Sequence, residues 1–171
     1  MPSVFNTKGA GGIYNVVKIV SYIRKLLPKK KIHVFGVGSA LTMHLMFYVG
    51  ASSVDSSGWR TKAAFGAIQL PGIGDRYITR RKRHKTYRNI SKDEEEILAH
   101  CQCPVCKEGG LEKLRTSFKS RALHNSWVFQ KEVETARDLV KKKKYECYVS
   151  EILSESSLAS AFNLASKMRD F

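Results

Sequence analysis

The chain has 171 residues, of which 43% are hydrophobic. This length suits one ordinary domain with a buried core, and the apolar content excludes a disordered chain. Thirty Lys and Arg residues stand against fifteen Asp and Glu residues, which gives a formal net charge of +15. The excess specifies no fold, but it predicts attraction to a polyanion: nucleic acid is the commonest, and an anionic membrane surface is the rival.

The first third of the chain predicts alternating helices and strands. From Gly12 apolar residues recur at steps of three and four, which predicts an amphipathic helix that Pro28 ends. The run "IHVFGVG" predicts a buried parallel strand. "SALTMHLMFYVG" predicts a helix with Ser39 as its N-cap, and "ASSV" predicts a second strand that ends at Asp55. This order indicates part of an α/β parallel sheet.

No segment predicts export or insertion into a membrane. The opening "MPSVFNTKGAGG" lacks the basic start and apolar core of a signal peptide. The apolar stretch of residues 32–52 contains histidines and internal glycines, which favours strand, turn and buried helix over a membrane span. We therefore expect a cytoplasmic protein, in which thiols stay reduced.

The second half of the chain predicts mainly helices. Ser91 followed by Glu94 predicts a capped helix start. A long helix is predicted from about Asn125 to Lys144, where four lysines suit the helix dipole. The tail from Ser150 predicts one more amphipathic helix.

Three of the four cysteines form the motif C-x-C-x-x-C at Cys101, Cys103 and Cys106. Closely spaced thiols in a reduced compartment more often bind metal than form disulfides. Zinc takes four ligands at about 2.0–2.3 Å, and His124 is the predicted fourth, since His100 is too close to the cluster to reach round it. Such a closed site would hold structural Zn²⁺, and a redox CxxC pair with an incidental third cysteine is the alternative.

Four stretches together resemble the C-terminal third of the tRNA-guanine transglycosylases: "HVFGVGS", "GASSVDSSGW", "CQCPVC" and "LHN", within about residues 10–130. The resemblance implies an α/β fold, the C-terminal portion of a TIM (β/α)8 barrel with an inserted zinc-binding subdomain. It places the last barrel strands and the nucleophile in residues 1–90, the zinc-binding subdomain in 91–130 and C-terminal helices in 131–171.

The same resemblance implies roles for individual residues. Asp55 would be the nucleophile, and the cysteine cluster with its histidine would be the family's zinc site. Phe35 and Gly36 would line the base pocket, and Gly11 and Gly12 would face the base carbonyl with their amides. The residues alone also permit a structural interpretation. Asp55 could cap the turn that follows it, and the glycines at both places (Gly36 after Phe35, and Gly11 with Gly12) could serve only the geometry of a turn.

The implied reaction is a pentosyl transfer that replaces guanine by a 7-deazaguanine, such as preQ0, through a covalent aspartyl-glycosyl intermediate. After Asp55 the sequence "SSGWRTKAAFG" departs from the bacterial Pro-Thr-Arg and the archaeal Ser-Ala-Ser-Tyr patterns. It looks closer to the DNA-modifying paralogues, so we expect DNA as the substrate. The alternatives are tRNA, in a queuosine- or archaeosine-type modification, and a non-catalytic zinc-containing nucleic-acid-binding module.

Basic residues after the predicted nucleophile are candidates for phosphate contacts. Trp59 would stack on a base or wedge into the duplex, with core packing as the alternative. The basic run at residues 80–85 could instead be a solvated loop. The candidate phosphate contacts are Arg60, Lys62, Arg76, Arg80, Arg81, Lys82 and Arg83.

Two features of the family have no counterpart in this sequence. In the family, a second aspartate and an aromatic base clamp lie on the first strands of the barrel. In addition, a sheet of only two parallel strands would leave the edges of those strands unpaired. We therefore expect the chain to be the C-terminal part of a split or truncated enzyme, or the product of a late start. If the chain is natural, we expect a second polypeptide to complete the barrel, and we expect the chain alone to be catalytically inactive.

Overall fold

The structure is a computed structural model that describes residues 11–79 and 88–169. The chain divides into two compact units. The first unit contains residues up to Ser56 and from Ala136 onward, and the second is Ser57–Thr135. The domain boundaries expected after residues 90 and 130 stay predictions. Among the helices of the described residues, none combines the length and apolar character that a bilayer crossing requires.

Helices dominate the described residues, and the strands are short. In chain order the elements are α1 Gly11–Leu26, β1 His33–Val34, α2 Ala40–Tyr48, β2 Ser53–Val54, α3 Gly58–Ala64, β3 Ala67–Leu70, β4 Gly74–Tyr77, α4 Lys92–Ala99, α5 Pro104–Thr116, α6 Phe118–Lys141, α7 Tyr145–Ser154 and α8 Ala159–Arg169.

The first unit contains the two predicted parallel strands. β1 pairs with β2 in parallel, with His33 opposite Ser53. The helix between them begins as expected, because the Ser39 hydroxyl accepts a hydrogen bond from the Thr42 amide at 3.2 Å. Val34 is buried while His33 is exposed, so one face of the strand pair packs into the core and the other does not. The predicted α/β pattern is confirmed here.

An arginine on α1 fixes the turn that enters β2. The Arg24 guanidinium donates from Nε to the Gly50 carbonyl at 3.0 Å and from Nη1 to the Pro28 carbonyl at 2.7 Å. Gly50 has a φ of 103°, a conformation that glycine adopts without steric penalty. The side chain thereby joins the end of α1 to the turn that follows α2.

The second unit contains a β-hairpin that the sequence analysis did not predict. β3 and β4 pair antiparallel, with Ala67 opposite Tyr77 and Leu70 opposite Gly74. All four residues of β3 are buried, so the strand shows no alternation of apolar and polar residues. The hairpin belongs to an apolar cluster with α4 and α5: Ile68, Leu70, Ile78, Leu98, Cys103, Val105 and Leu114.

The capped helix start predicted at Ser91 is confirmed. The Ser91 hydroxyl accepts from the Glu94 amide at 3.2 Å, and the Glu94 carboxylate accepts from the Ser91 amide at 3.0 Å. This reciprocal pair satisfies two amides at the start of α4 that have no partner within the helix.

The helices of the C-terminal half differ from prediction at their ends. α6 begins at Phe118, before the predicted start at Asn125. The prediction of a single helix in the tail is wrong, because the chain turns between α7 and α8. There the Ser156 hydroxyl donates to the Leu153 carbonyl at 2.9 Å and accepts from the Leu158 amide at 3.0 Å, so the side chain competes with the helical hydrogen bonds.

We predict that Gly66→Ala destabilises the protein. Gly66 precedes β3 with a φ of 80°, and a Cβ at this position would collide with the Thr79 side chain. The strained backbone alone is expected to lower the free energy of unfolding by about 1–3 kcal/mol, measured by urea denaturation. Gly38→Ala is the matched control, because a Cβ there meets nothing within 4 Å. Equal effects of the two substitutions would contradict the prediction.

Candidate functional site

Three cysteines and a histidine converge in the second unit. The ligand atoms of Cys101, Cys103, Cys106 and His124 all lie within 4.8 Å of one another. The His124 Nδ1 atom is 3.4 Å from the Cys103 Sγ, 3.5 Å from the Cys106 Sγ and 3.8 Å from the Cys101 Sγ. Ligands held tetrahedrally by zinc are about 3.3–3.8 Å apart. The predicted ligand set is therefore confirmed as a group that could hold a metal ion.

Local structure explains why the three thiols face one point. Cys101 follows the end of α4, and Cys103 is the N-cap of α5, where its Sγ accepts from the Cys106 amide at 3.3 Å. Pro104 stands at the first position of the helix, where its missing amide hydrogen is not needed. The positive end of the α5 dipole favours thiolates at this location.

The orientation of His124 is set by a backbone carbonyl. Its Nε2 atom donates to the Gln69 carbonyl on β3 at 2.9 Å, and the side chain is fully buried. Because this hydrogen bond places a proton on Nε2, the Nδ1 atom that points toward the thiols is the nitrogen that could bind a metal ion.

The thiols and the imidazole alter one another's proton affinity. A hydrogen bond from the Cys106 thiol lowers the pKa of Cys101 to about 4, and the same interaction raises the pKa of Cys106. Burial lowers the pKa of His124, but hydrogen bonds to Cys101 and Cys103 outweigh burial and raise it to about 9. The shifts favour a thiolate at Cys101 and the protonated forms of Cys106 and His124, so a metal ion that bound all of these donors would displace protons from the last two.

The arrangement favours a metal site over a redox pair. All three thiols face the same imidazole nitrogen, which a disulfide-forming pair would not require. The fourth cysteine, Cys147, is exposed on α7 in the other unit.

Asn125 is a structural partner of the site to which the sequence analysis assigned no role. Its Oδ1 atom accepts from the Gln69 amide at 2.8 Å, and its Nδ2 atom donates to the carbonyls of Trp59 at 3.0 Å and Ala67 at 3.1 Å. His124 and Asn125 therefore bind both backbone groups of Gln69. The signal was present as the pair "HN", in which a buried amide follows the candidate ligand His124.

A second group of side chains lies on the exposed face of the β1–β2 pair. Asp55 follows β2, and its Oδ1 atom accepts from the Gly36 amide at 2.6 Å. The Asp55 side chain is 55% exposed, so the carboxylate is held in place yet accessible. Gly36 has a φ of 72°, which glycine adopts without steric penalty.

Two aromatic rings accompany this carboxylate. Phe35 is 72% exposed, and its ring meets the His33 ring edge-on at a centroid distance of 4.4 Å. The His33 Nδ1 atom lies 2.8 Å from the Ser53 hydroxyl oxygen, and its Nε2 atom lies 3.9 Å from the Asp55 Oδ2 atom. The structure thus brings together Asp55, Gly36 and Phe35, which the sequence analysis singled out, and adds His33. Side chains two residues apart in an extended chain lie on the same face, so the spacing between His33 and Phe35 was the signal for this histidine.

The predicted glycine pair lies in the first unit at the start of α1. Gly11 is exposed with open space around it, and Gly12 is buried. Their contact with a base carbonyl stays a prediction.

The predicted nucleic-acid contacts lie in the second unit and differ in accessibility. Arg60 is exposed, and Trp59 is partly buried. Lys62 forms an ion pair with Asp75 and remains partly exposed. The predicted contacts at Arg80, Arg81, Lys82 and Arg83 lie outside the described residues.

Arg76 differs most from its predicted role as a phosphate contact. Its side chain is buried, and its guanidinium donates to the Glu94 carboxylate at 2.7 Å. Because Glu94 also closes the hydrogen-bonded cap of α4, Arg76 joins β4 to that helix. This engagement leaves the guanidinium unavailable to a phosphate.

Comparison with known proteins identifies the family. The model of the queuine tRNA-ribosyltransferase family matches residues 9–157. The "tRNA-guanine(15) transglycosylase" of Archaeoglobus fulgidus is 28% identical over 133 residues, which cover 75% of this chain and 24% of the relative. The protein of the same name in Pyrococcus furiosus is 27% identical over 122 residues, 68% of this chain and 18% of the relative.

A third relative with this name, from Thermococcus kodakarensis, is 25% identical over 152 residues, which cover 85% of this chain and 23% of the relative. The chain therefore spans about a quarter or less of the length of these curated relatives. Because the family match covers most of the 171 residues, the chain belongs to the queuine tRNA-ribosyltransferase family.

Proposed function

We propose that the chain supplies the nucleophile and a structural zinc site to a transglycosylase that exchanges guanine in tRNA. The observation that carries the proposal is the Asp55 carboxylate at the end of a parallel strand, held by the Gly36 amide at 2.6 Å on an exposed face. Active sites of (β/α)8 barrels lie where the C-terminal ends of the strands meet. β1 and β2 would be the last two strands of such a barrel.

In the proposed reaction, the Asp55 carboxylate attacks C1′ of the target nucleotide. A bond forms between a carboxylate oxygen and C1′ as the glycosidic bond breaks, and guanine leaves with the bonding electrons and gains a proton. A ring nitrogen of the incoming 7-deazaguanine then loses its proton and attacks C1′, which releases Asp55. One glycosidic bond replaces another, so the exchange needs no ATP.

The neighbours of Asp55 suit this chemistry. The Gly36 amide fixes one carboxylate oxygen and leaves the other available for attack. The exposed Phe35 ring offers a flat apolar surface on which a purine can stack. Gly11 and Gly12 stay proposed contacts to the base carbonyl.

We propose that the cysteine–histidine cluster holds Zn²⁺. Three sulfur donors and one imidazole nitrogen match the ligand preference of zinc, and four protein ligands leave no position for a reactive water. The ion would join the α4–α5 segment to α6, and such sites contribute on the order of 10 kcal/mol to folding. Its role would be structural.

We propose tRNA as the substrate in preference to DNA. The relatives from three archaea carry names that specify guanine exchange in tRNA, and they match 68% to 85% of this chain. The DNA interpretation drew on the residues after Asp55, which differ from the archaeal pattern. Mass spectrometry of nucleosides from the tRNA and DNA of the source organism separates the two: a 7-deazaguanine found in DNA alone would contradict the tRNA proposal.

We propose further that the purified chain does not exchange bases by itself. The reaction needs an acid to protonate the departing guanine, and no residue of this chain has been assigned that role. The acid and the remaining barrel strands would come from outside these 171 residues. Turnover of radiolabelled guanine in tRNA by the purified chain alone would contradict this proposal.

We predict that Cys103→Ser removes bound zinc and lowers the melting temperature of the protein. Loss of one thiolate opens the ligand set, which reduces metal affinity and the folding free energy that depends on it. Zinc content by elemental analysis and thermal unfolding with and without chelator measure the two effects. Cys147→Ser is the matched control, because Cys147 is exposed in the other unit. Full zinc content in the Cys103 variant would contradict the assignment.

We predict that zinc affinity rises with pH near neutrality. At pH 7 Cys101 is already a thiolate, because its pKa is lowered to about 4, whereas the raised pKa values of His124 (about 9) and Cys106 keep both protonated. Zinc must therefore displace at least these two protons, and its affinity should rise about a hundredfold or more per pH unit. Calorimetry in two buffers of different ionisation enthalpy counts the protons, and a count of zero would contradict the prediction.

We predict that Asp55→Asn abolishes base exchange and covalent trapping in the reconstituted enzyme. The asparagine keeps an oxygen to accept from the Gly36 amide but has no nucleophilic carboxylate, so the rate should fall by about a thousandfold or more. Asp138→Asn, an exposed carboxylate on α6, is the control. Binding of tRNA should persist in both variants, and an active Asp55 variant would exclude the proposed mechanism.

A further inference from the structure

The C-terminal end of α6 carries four consecutive exposed lysines, Lys141 to Lys144. The negative end of a helix dipole favours cations, but this effect falls off within the last turn of the helix. It accounts for Lys141, the last residue of α6. It does not account for three more lysines beyond the helix, whose like charges repel one another.

The backbone at this turn has a conformation that disfavours a lysine. The Lys144 amide donates to the Leu139 carbonyl at 2.9 Å, and the Lys143 amide donates to the Val140 carbonyl at 3.1 Å. These two bonds form a Schellman cap, in which the residue at the Lys143 position is usually glycine. Lys143 has a φ of 56°, and it is the one residue other than glycine with positive φ within residues 11–79 and 88–169.

Lys143 therefore occupies a position at which glycine would give a less strained turn. A side chain in the left-handed conformation is unfavourable, and such strain persists mainly where function requires it. The four ammonium groups have no ion-pair partner among the described residues, and the nearby Glu146 is bound to Arg169. An unneutralised cluster on a tightly hydrogen-bonded turn is a surface suited to an external polyanion.

We propose that the Lys141–Lys144 turn binds the phosphate backbone of tRNA. The choice of tRNA rests on the proposed function, whereas the polyanion chemistry rests on the turn itself. Lysine binds phosphate as a point charge, and a fixed turn presents such charges at defined spacing. Binding to an anionic membrane is less suited to this geometry, because an interfacial helix needs a broad apolar face beside its cations.

The first experiment measures affinity of the full chain for unmodified tRNA by fluorescence anisotropy between 50 and 200 mM salt. In the triple variant K141Q/K142Q/K144Q we expect affinity to fall about tenfold or more, and the slope of log affinity against log salt to decrease by about 2. The control K29Q/K30Q/K31Q removes the same charge from three exposed lysines after α1 in the same unit. We expect it to lose less than about threefold.

The second experiment uses Lys143→Gly. Glycine relieves the left-handed strain, so the melting temperature should rise while tRNA affinity falls. A merely structural lysine would give the first effect without the second, so unchanged affinity would overturn the proposal.

Other outcomes also decide the question. Equal losses in the two triple variants would show that only net charge matters, and would overturn the proposal. Lysine-dependent binding to phosphatidylserine vesicles without lysine-dependent binding to tRNA would do the same. If tRNA binding depends on the turn but the reconstituted enzyme modifies DNA alone, the proposed substrate fails and the phosphate contact stands.

Discussion

The second unit depends on one imidazole that serves two elements at once. His124 donates from Nε2 to the Gln69 carbonyl of β3 and presents Nδ1 to three thiols from the α4–α5 segment. Without the carbonyl, the ring would have no fixed tautomer or direction, and the thiols would lack their nitrogen partner. The hairpin therefore orients the histidine of a cluster that could hold a metal ion, although it supplies no ligand itself.

The same helix holds the rest of the unit through buried polar side chains. Arg121 donates to the Ala63 carbonyl at 2.8 Å, Asn125 binds Gln69 and its neighbours, and Glu132 accepts from the Gly72 amide at 2.9 Å. These side chains satisfy backbone groups of short elements that make few regular hydrogen bonds. Because an unsatisfied buried amide or carbonyl costs about 1–3 kcal/mol, each of these side chains on the buried face of α6 stabilises the unit.

Asp55 and the metal cluster belong to different compact units. The contacts that orient Asp55 all lie within the first unit: the Gly36 amide, the His33 ring and the pairing of β1 with β2. The position of this carboxylate thus follows from local strand geometry. The cysteine–histidine cluster in one unit and the strand-dependent carboxylate in the other are separate requirements on the sequence.

Sequence patterns predicted the features that depend on neighbours along the chain. The Ser39 cap, the reciprocal cap of Ser91 and Glu94, and the C-x-C-x-x-C motif involve short spacings, and the structure confirms them. The hairpin was missed because β3 is buried at every position and so shows no period of two. The engagement of Arg76 by Glu94 depends on tertiary contact, which a charge pattern cannot reveal.

The pairing of β1 with β2 also determines the direction in which the Asp55 carboxylate points. Successive side chains of a strand point to opposite faces, so a slip of one residue would carry Asp55 from the open face toward the apolar interior. The alignment consists of two residue pairs, His33 with Ser53 and Val34 with Val54, and of backbone hydrogen bonds that join Asp55 to Val34 and Val37. A change in the turns flanking these four residues would therefore redirect the carboxylate without unfolding the unit.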